Sequence, residues 1–181
     1  MKTICKRRCS IIAAGATALL VAVLLSGVAR AEAQDPYFTM NVITNAAAGK
    51  SVLAGRYAAA IDKIDVARGG TISRFFAANN LCVAQVKSGE LAGAAQSCDL
   101  AVTAIREAVE GLRPGRHSAP LEFAYRRYLA IALSNRGVVR AVTGRPVLAR
   151  ADFAEAMNLG TRVRSPEINL VRLGSVDDGS A

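Results

Sequence analysis

The sequence predicts an all-α fold: a stack of about three antiparallel helix hairpins closed by a short C-terminal capping helix. Three observations predict it. Alanine is frequent among the 181 residues, aromatics make up 5% and Trp is absent, which suits closely packed helices better than a β-sandwich. A Gly followed five and twelve residues later by Ala occurs three times, as Gly55, Ala60, Ala67; Gly89, Ala94, Ala101; and Gly144, Ala149, Ala156. The first two glycines lie 34 residues apart and the next two 55, the same period plus an insertion of 21. A recurring period of this length is the mark of a repeat architecture. With 52% hydrophobic and 20% charged residues, the chain has the makings of one globular domain.

The first element is not part of that domain. Lys2, Lys6, Arg7 and Arg8 precede an uncharged stretch from Ile11 to Leu25, and Ala29-Arg30-Ala31 and Ala31-Glu32-Ala33 follow. A basic start, a short apolar core and an Ala-x-Ala site make residues 1–33 a cleaved secretory signal peptide, with the cut after Ala31 or Ala33. The apolar core is shorter than the roughly 20 residues that span a bilayer. The competing reading is an uncleaved anchor, since Ile11 to Ala29 is almost wholly uncharged. Cleavage predicts a periplasmic or secreted domain over residues 34–174 and a flexible tail over 175–181.

Cleavage also removes the case for nucleic acid. The formal charge is +9, but five of the 23 basic residues leave with the leader, and if the cut follows Ala31, eighteen against fourteen acidic residues gives +4. No aromatics are interleaved with basic residues to stack bases. Of four cysteines, Cys5 and Cys9 also leave, so Cys82 and Cys98 remain, an even number that suits a disulfide in an oxidising compartment. Those two thiols and the single His117 cannot build a common zinc site alone, and the sequence predicts no cofactor.

Each repeated Gly lies between two Ala-rich stretches, where a residue without Cβ turns the chain at little cost. The two Ala after it are about two helical turns apart and share a face. Small residues there let antiparallel helices approach closely, and each hairpin must stack on its neighbours to bury its apolar face. Units are expected at about 41–70, 75–110 and 121–160. Asn80 and Asn135 hold matching places nine residues before their glycines.

These units resemble the tetratricopeptide repeat family. The clearest reads Asn80-Leu81-Cys82-Val83-Ala84-Gln85, then Gly89-Glu90-Leu91, Ala94, Cys98 and Ala101. Leu81, Gly89, Ala94 and Ala101 match the family's preferred types, and Cys82 takes a slot usually given to a small residue. Ala54 to Ile61 resembles the family's turn and second helix, while the first helix of that unit, Asn41 to Leu53, is poorly marked. The third unit keeps Gly137, Gly144, Ala149, Phe153 and Ala156, but Arg136 and Arg140 stand where the family has an apolar residue and an aromatic one. Cys82 and Cys98 are centred next to Gly89, so antiparallel helices joined there would face them and bridge them. A redox role is the poorer reading, since the spacing is far from Cys-x-x-Cys.

Gly and Pro make Gly111 to Pro120 a loop, and Leu121 to Val142 reads as one long helix with Pro120 in its first turn. Tyr125, Tyr128, Leu129, Ala132 and Leu133 recur at helical spacing as core. Arg113, Arg116, Arg126 and Arg127 form a solvated basic face, or a contact for an acidic partner or anionic lipid. Asp35-Pro36-Tyr37-Phe38 reads as an extended leading segment. Pro166 to Leu173 is the expected cap, with Ile168, Val171 and Leu173 covering the last hairpin.

No catalytic constellation emerges, so the chain is not expected to be an enzyme. Ala48-Gly49-Lys50-Ser51 resembles the end of a phosphate-binding loop, but the required earlier Gly falls at Thr44. The family resemblance implies instead a concave surface of first helices that holds a peptide or protein partner. That surface would carry Asn45, Phe76, Asn79, Asn80, Val83, Lys87, Asn135, Val138 and Val142. A carboxylate clamp of the family's kind is disfavoured, because Gly49 and Asn135 replace two of its polar residues. The Asn side chains are expected to bond a peptide backbone instead. An envelope assembly factor anchored by an uncleaved N-terminus is the alternative, and self-association would extend the short array.

Overall fold

A computed structural model of the chain describes residues 38–112 and 118–178. The expected leader, Asp35 to Tyr37, the basic residues Arg113 and Arg116, His117 and the last three residues lie outside it. The described residues are all-helical: α1 (Gly49–Leu53), α2 (Tyr57–Ile61), α3 (Thr71–Ser88), α4 (Leu91–Glu110), α5 (Ala119–Val142), α6 (Pro146–Asn158) and α7 (Ser165–Asp178). No helix among them is long and apolar enough to cross a membrane.

The repeated glycines make the tight turns. Gly89 ends α3 with φ 82°, a left-handed conformation that a Cβ would disfavour. Its N–H donates to the Val86 carbonyl (3.1 Å), and the Glu90 N–H donates to Gln85 (2.8 Å), which satisfies carbonyls the helix end leaves over. Gly55 and Gly144 repeat both bonds, with Arg56 donating to Ser51 (2.9 Å) and Arg145 to Arg140 (2.8 Å). One turn chemistry therefore joins α1 to α2, α3 to α4 and α5 to α6.

Successive helices pack in order, and the backbones of α1, α3, α5 and α7 also approach one another in sequence, whereas those of α2 and α4 do not, and α4 meets α6 through side chains such as the Arg106–Glu155 ion pair (2.6 Å). The stack therefore bends toward its first helices. Its main core joins α3, α4 and α5 through Phe75, Ala78, Ile105, Leu129 and Leu133. Phe75, Phe76 and Tyr128 meet there with ring centroids 5.2–5.4 Å apart. The disulfide Cys82–Cys98 crosses from α3 to α4 with Cα atoms 5.2 Å apart, and Ala94 and Val139 bury it.

Arg136 and Arg140 occupy their unusual places by pairing. Arg136 makes a two-pronged contact with the buried Asp152 of α6 (2.6 and 3.0 Å), and Arg140 reaches the same carboxylate at 2.8 Å. Burial works against the Arg136 guanidinium charge, but the hydrogen bond and charge of Asp152 outweigh it and hold the pKa above its ordinary value. The corresponding positions of the previous hairpin, Gln85 and Ser97, share a neutral hydrogen bond of 2.7 Å.

Three expectations need correction. The first unit forms a helix only from Gly49, because residues 38–43 run extended along other helices. The expected tail is helical through Asp178. On α7, Val171 is 69% exposed and Ile168 36% exposed, while Pro166, Asn169, Leu170 and Leu173 turn inward. That set has the i, i+3, i+4, i+7 spacing of one helical face, and it docks α7 on α5 and α6.

Candidate functional site

The inner face formed by α3, α5 and α7 is occupied. An extended segment, residues 38–43, crosses all three helices, and each holds the backbone N–H and C=O of one of its residues through an Asn. On α7, Asn169 accepts the Thr39 N–H (2.7 Å) and donates to the Thr39 carbonyl (2.8 Å). On α5, Asn135 does the same to Asn41 (2.8 and 2.9 Å). On α3, Asn80 does the same to Ile43 (2.8 and 2.9 Å). In an extended chain the N–H and C=O of one residue point to one side and those of the next to the other. A side-chain amide carries an acceptor and a donor side by side, so it pairs with every second residue as a neighbouring strand would.

A second layer orients these amides. Asn135 also donates to Asn79 Oδ1 (2.9 Å), and Asn79 donates to the Asn41 carbonyl (3.1 Å). Asn80 donates further to the Ala46 and Ala47 carbonyls (3.1 and 3.2 Å), which curls the chain after the segment into α1. Ser134 donates to Ser165 (3.1 Å), which also takes the Asn41 side-chain amide (2.5 Å). Asn79, Asn80, Asn135 and Asn169 are each 0% exposed, and hydrogen bonding makes such burial tolerable.

Side chains add an alternating pattern. Phe38 is buried among Val138, Ala149, Phe153 and Leu173. Met40 reaches three clusters, and Val42 packs by Val52 and Val83. Thr39 accepts from Arg172 (3.1 Å) on the other side. Among the described residues, none bonds the backbone of Met40 or Val42. Gly49 is needed where the segment ends, because a Cβ there would collide with the Ile43 carbonyl.

The structure therefore gathers Asn79, Asn80, Val83, Asn135, Val138 and Val142 around the chain's own segment. Phe76 lies beside it, lining a cleft of about 520 Å³ with Ala46, Ala47, Lys63 and Arg68. Asn45 belongs to the exposed turn that follows the segment, not to a helix of the groove wall. Lys87, in the last turn of α3, is half-buried and makes no hydrogen bond to the segment. Asn169 was not foreseen, although it lies 34 residues after Asn135 and so repeats the period that relates the first two hairpins.

No group of three or more His, Cys, Asp or Glu among the described residues is placed to hold a metal ion. Comparison with protein-family models, with curated proteins and with solved structures returns no match.

Proposed function

We propose that this chain is an exported protein-interaction module of the bacterial envelope. On this reading it is a tetratricopeptide-like stack whose concave face takes an extended peptide or protein segment. The observation that carries the reading is the row of Asn80, Asn135 and Asn169, each clasping both backbone polar atoms of one residue. Such contacts read the backbone of an extended chain and leave specificity to pockets for alternate side chains, as strand-adding recognition does. The repeated turns at Gly55, Gly89 and Gly144 support the repeat architecture. The Cys82–Cys98 bridge is compatible with an oxidising, extracytoplasmic location.

The test is capture of the partner in cells by a photo-crosslinking residue placed at Asn45, beside the groove. Replacing Asn80 and Asn135 by Ala is expected to abolish the adduct. An undiminished adduct overturns the reading.

A further inference from the structure

We propose that residues 38–43 are a built-in occupant of the groove, exchangeable for a partner segment of the same chemistry. That chemistry is an extended stretch with an aromatic residue, then Met or a similar flexible side chain, then a β-branched residue at every second position. The inference rests on the reading of the groove as a peptide site and adds what fills it at rest and what displaces the filling.

Four observations point this way. The bonds that hold the segment go from side-chain amides to its backbone at Thr39, Asn41 and Ile43, so another extended chain would satisfy them equally. Only Phe38 of the six residues is fully buried; the other five are partly buried and keep some contact with solvent. All four asparagines bond the segment directly, so its departure opens that side of each to water rather than stranding it in a dry core. Finally, the segment ends in a turn at Ala48, the one non-Gly residue with positive φ (57°) among those described. A left-handed Ala is strained, and the strain sits where the segment joins the helical body.

The contrast with the rest of the core is physical. The main core closes on buried side chains from four helices, α3 to α6, whereas the segment crosses as a single strand whose other edge makes no bond to the described residues. A tethered occupant competes at an effective concentration on the order of millimolar. A partner segment must bind the emptied groove tightly to win, which keeps the module closed to casual ligands.

The experiment measures anisotropy of a labelled peptide of residues 38–45 (Phe-Thr-Met-Asn-Val-Ile-Thr-Asn) against the full chain and against its F38S/M40S variant. The variant weakens the occupant and leaves every groove asparagine in place. Binding at least ten-fold tighter to the variant is expected, with no binding of a peptide carrying Pro for Asn41, which lacks the N–H that Asn135 accepts. Equal affinity for both chains, still lost with the Pro peptide, overturns the built-in occupant and leaves the groove reading standing. No binding to the folded variant overturns both. Hydrogen exchange on the unaltered chain guards against a variant that fails to fold. The Thr39, Asn41 and Ile43 amides should exchange at least ten-fold faster than the α3 and α5 amides, by opening of the segment alone. Exchange only with global unfolding overturns the proposal.

Discussion

Gly137 of α5 lies under the ring of Phe153 on α6, where a Cβ would collide with the ring. The same offset of 16 residues separates Cys82 from Cys98 in the preceding hairpin, where a disulfide fills the place. Two hairpins thus close one contact by different means, a covalent bridge in one and a ring on a bare backbone in the other. Gly137→Ala forces the buried Phe153 to move. It should cost about 1–3 kcal/mol, read as a lower urea midpoint with an unchanged slope.

The bridge itself constrains the unfolded chain. Replacing both Cys82 and Cys98 by Ala removes a closed loop of 16 residues and should cost about 3 kcal/mol. For a domain of this size that is roughly 10 °C in Tm. Calorimetry of the unaltered chain with and without reductant should give a similar difference.

Asp152 answers two arginines at once. Asp152→Asn leaves the half-buried Arg140 without its counter-charge and Arg136 with only Asp99 at 3.5 Å, and should cost about 3 kcal/mol, the lower end for a broken buried pair because Arg136 keeps a partner and both arginines keep some solvent. The sign of the pH dependence follows from Arg136, whose pKa is raised in the folded state. Its contribution is complete below the unfolded value and is lost only as pH rises through the folded one. Denaturant titration should therefore show no loss from this pair between neutral pH and about pH 11.

Each asparagine of the row should act on its own residue of the segment. Asn169→Ala should speed exchange of the Thr39 amide while Ile43 stays protected by Asn80. Asn135→Ala also strips Asn79 of a donor and should cost more, about 2 kcal/mol. Amide exchange resolved by residue separates the two.

Ala48 invites the opposite change. Ala48→Gly removes a left-handed Ala worth about 1–2 kcal/mol and adds backbone entropy worth about 0.5–1 kcal/mol. The difference predicts a small gain, about 0.5 kcal/mol, measurable as a higher urea midpoint.

Some of the site was legible in the repeat frame. Asn80 and Asn135 share a place before their glycines, and one further period leads to Asn169. The apolar residues around Asn169 hide its face, because Ile168 and Val171, which suggest the buried side of α7, face out. Likewise Arg136 and Arg140 departed from the expected types, and the compensating change, Ser97 to Asp152, lies in the partner helix and shows only when the hairpins are superposed by register.

The sequence by itself determined the helical class, the three glycine turns, the long α5 and the facing of Cys82 and Cys98. All of these are short-range: a period, a conformational preference or a spacing within one hairpin carries them. The tertiary structure alone decided that residues 38–43 run extended and fill the inner face. Their bonds go to Asn80, Asn135 and Asn169, up to 130 positions away, and the short alternation of Phe38, Met40 and Val42 with Thr39 and Asn41 marks an extended stretch without saying which distant side-chain amides hold it.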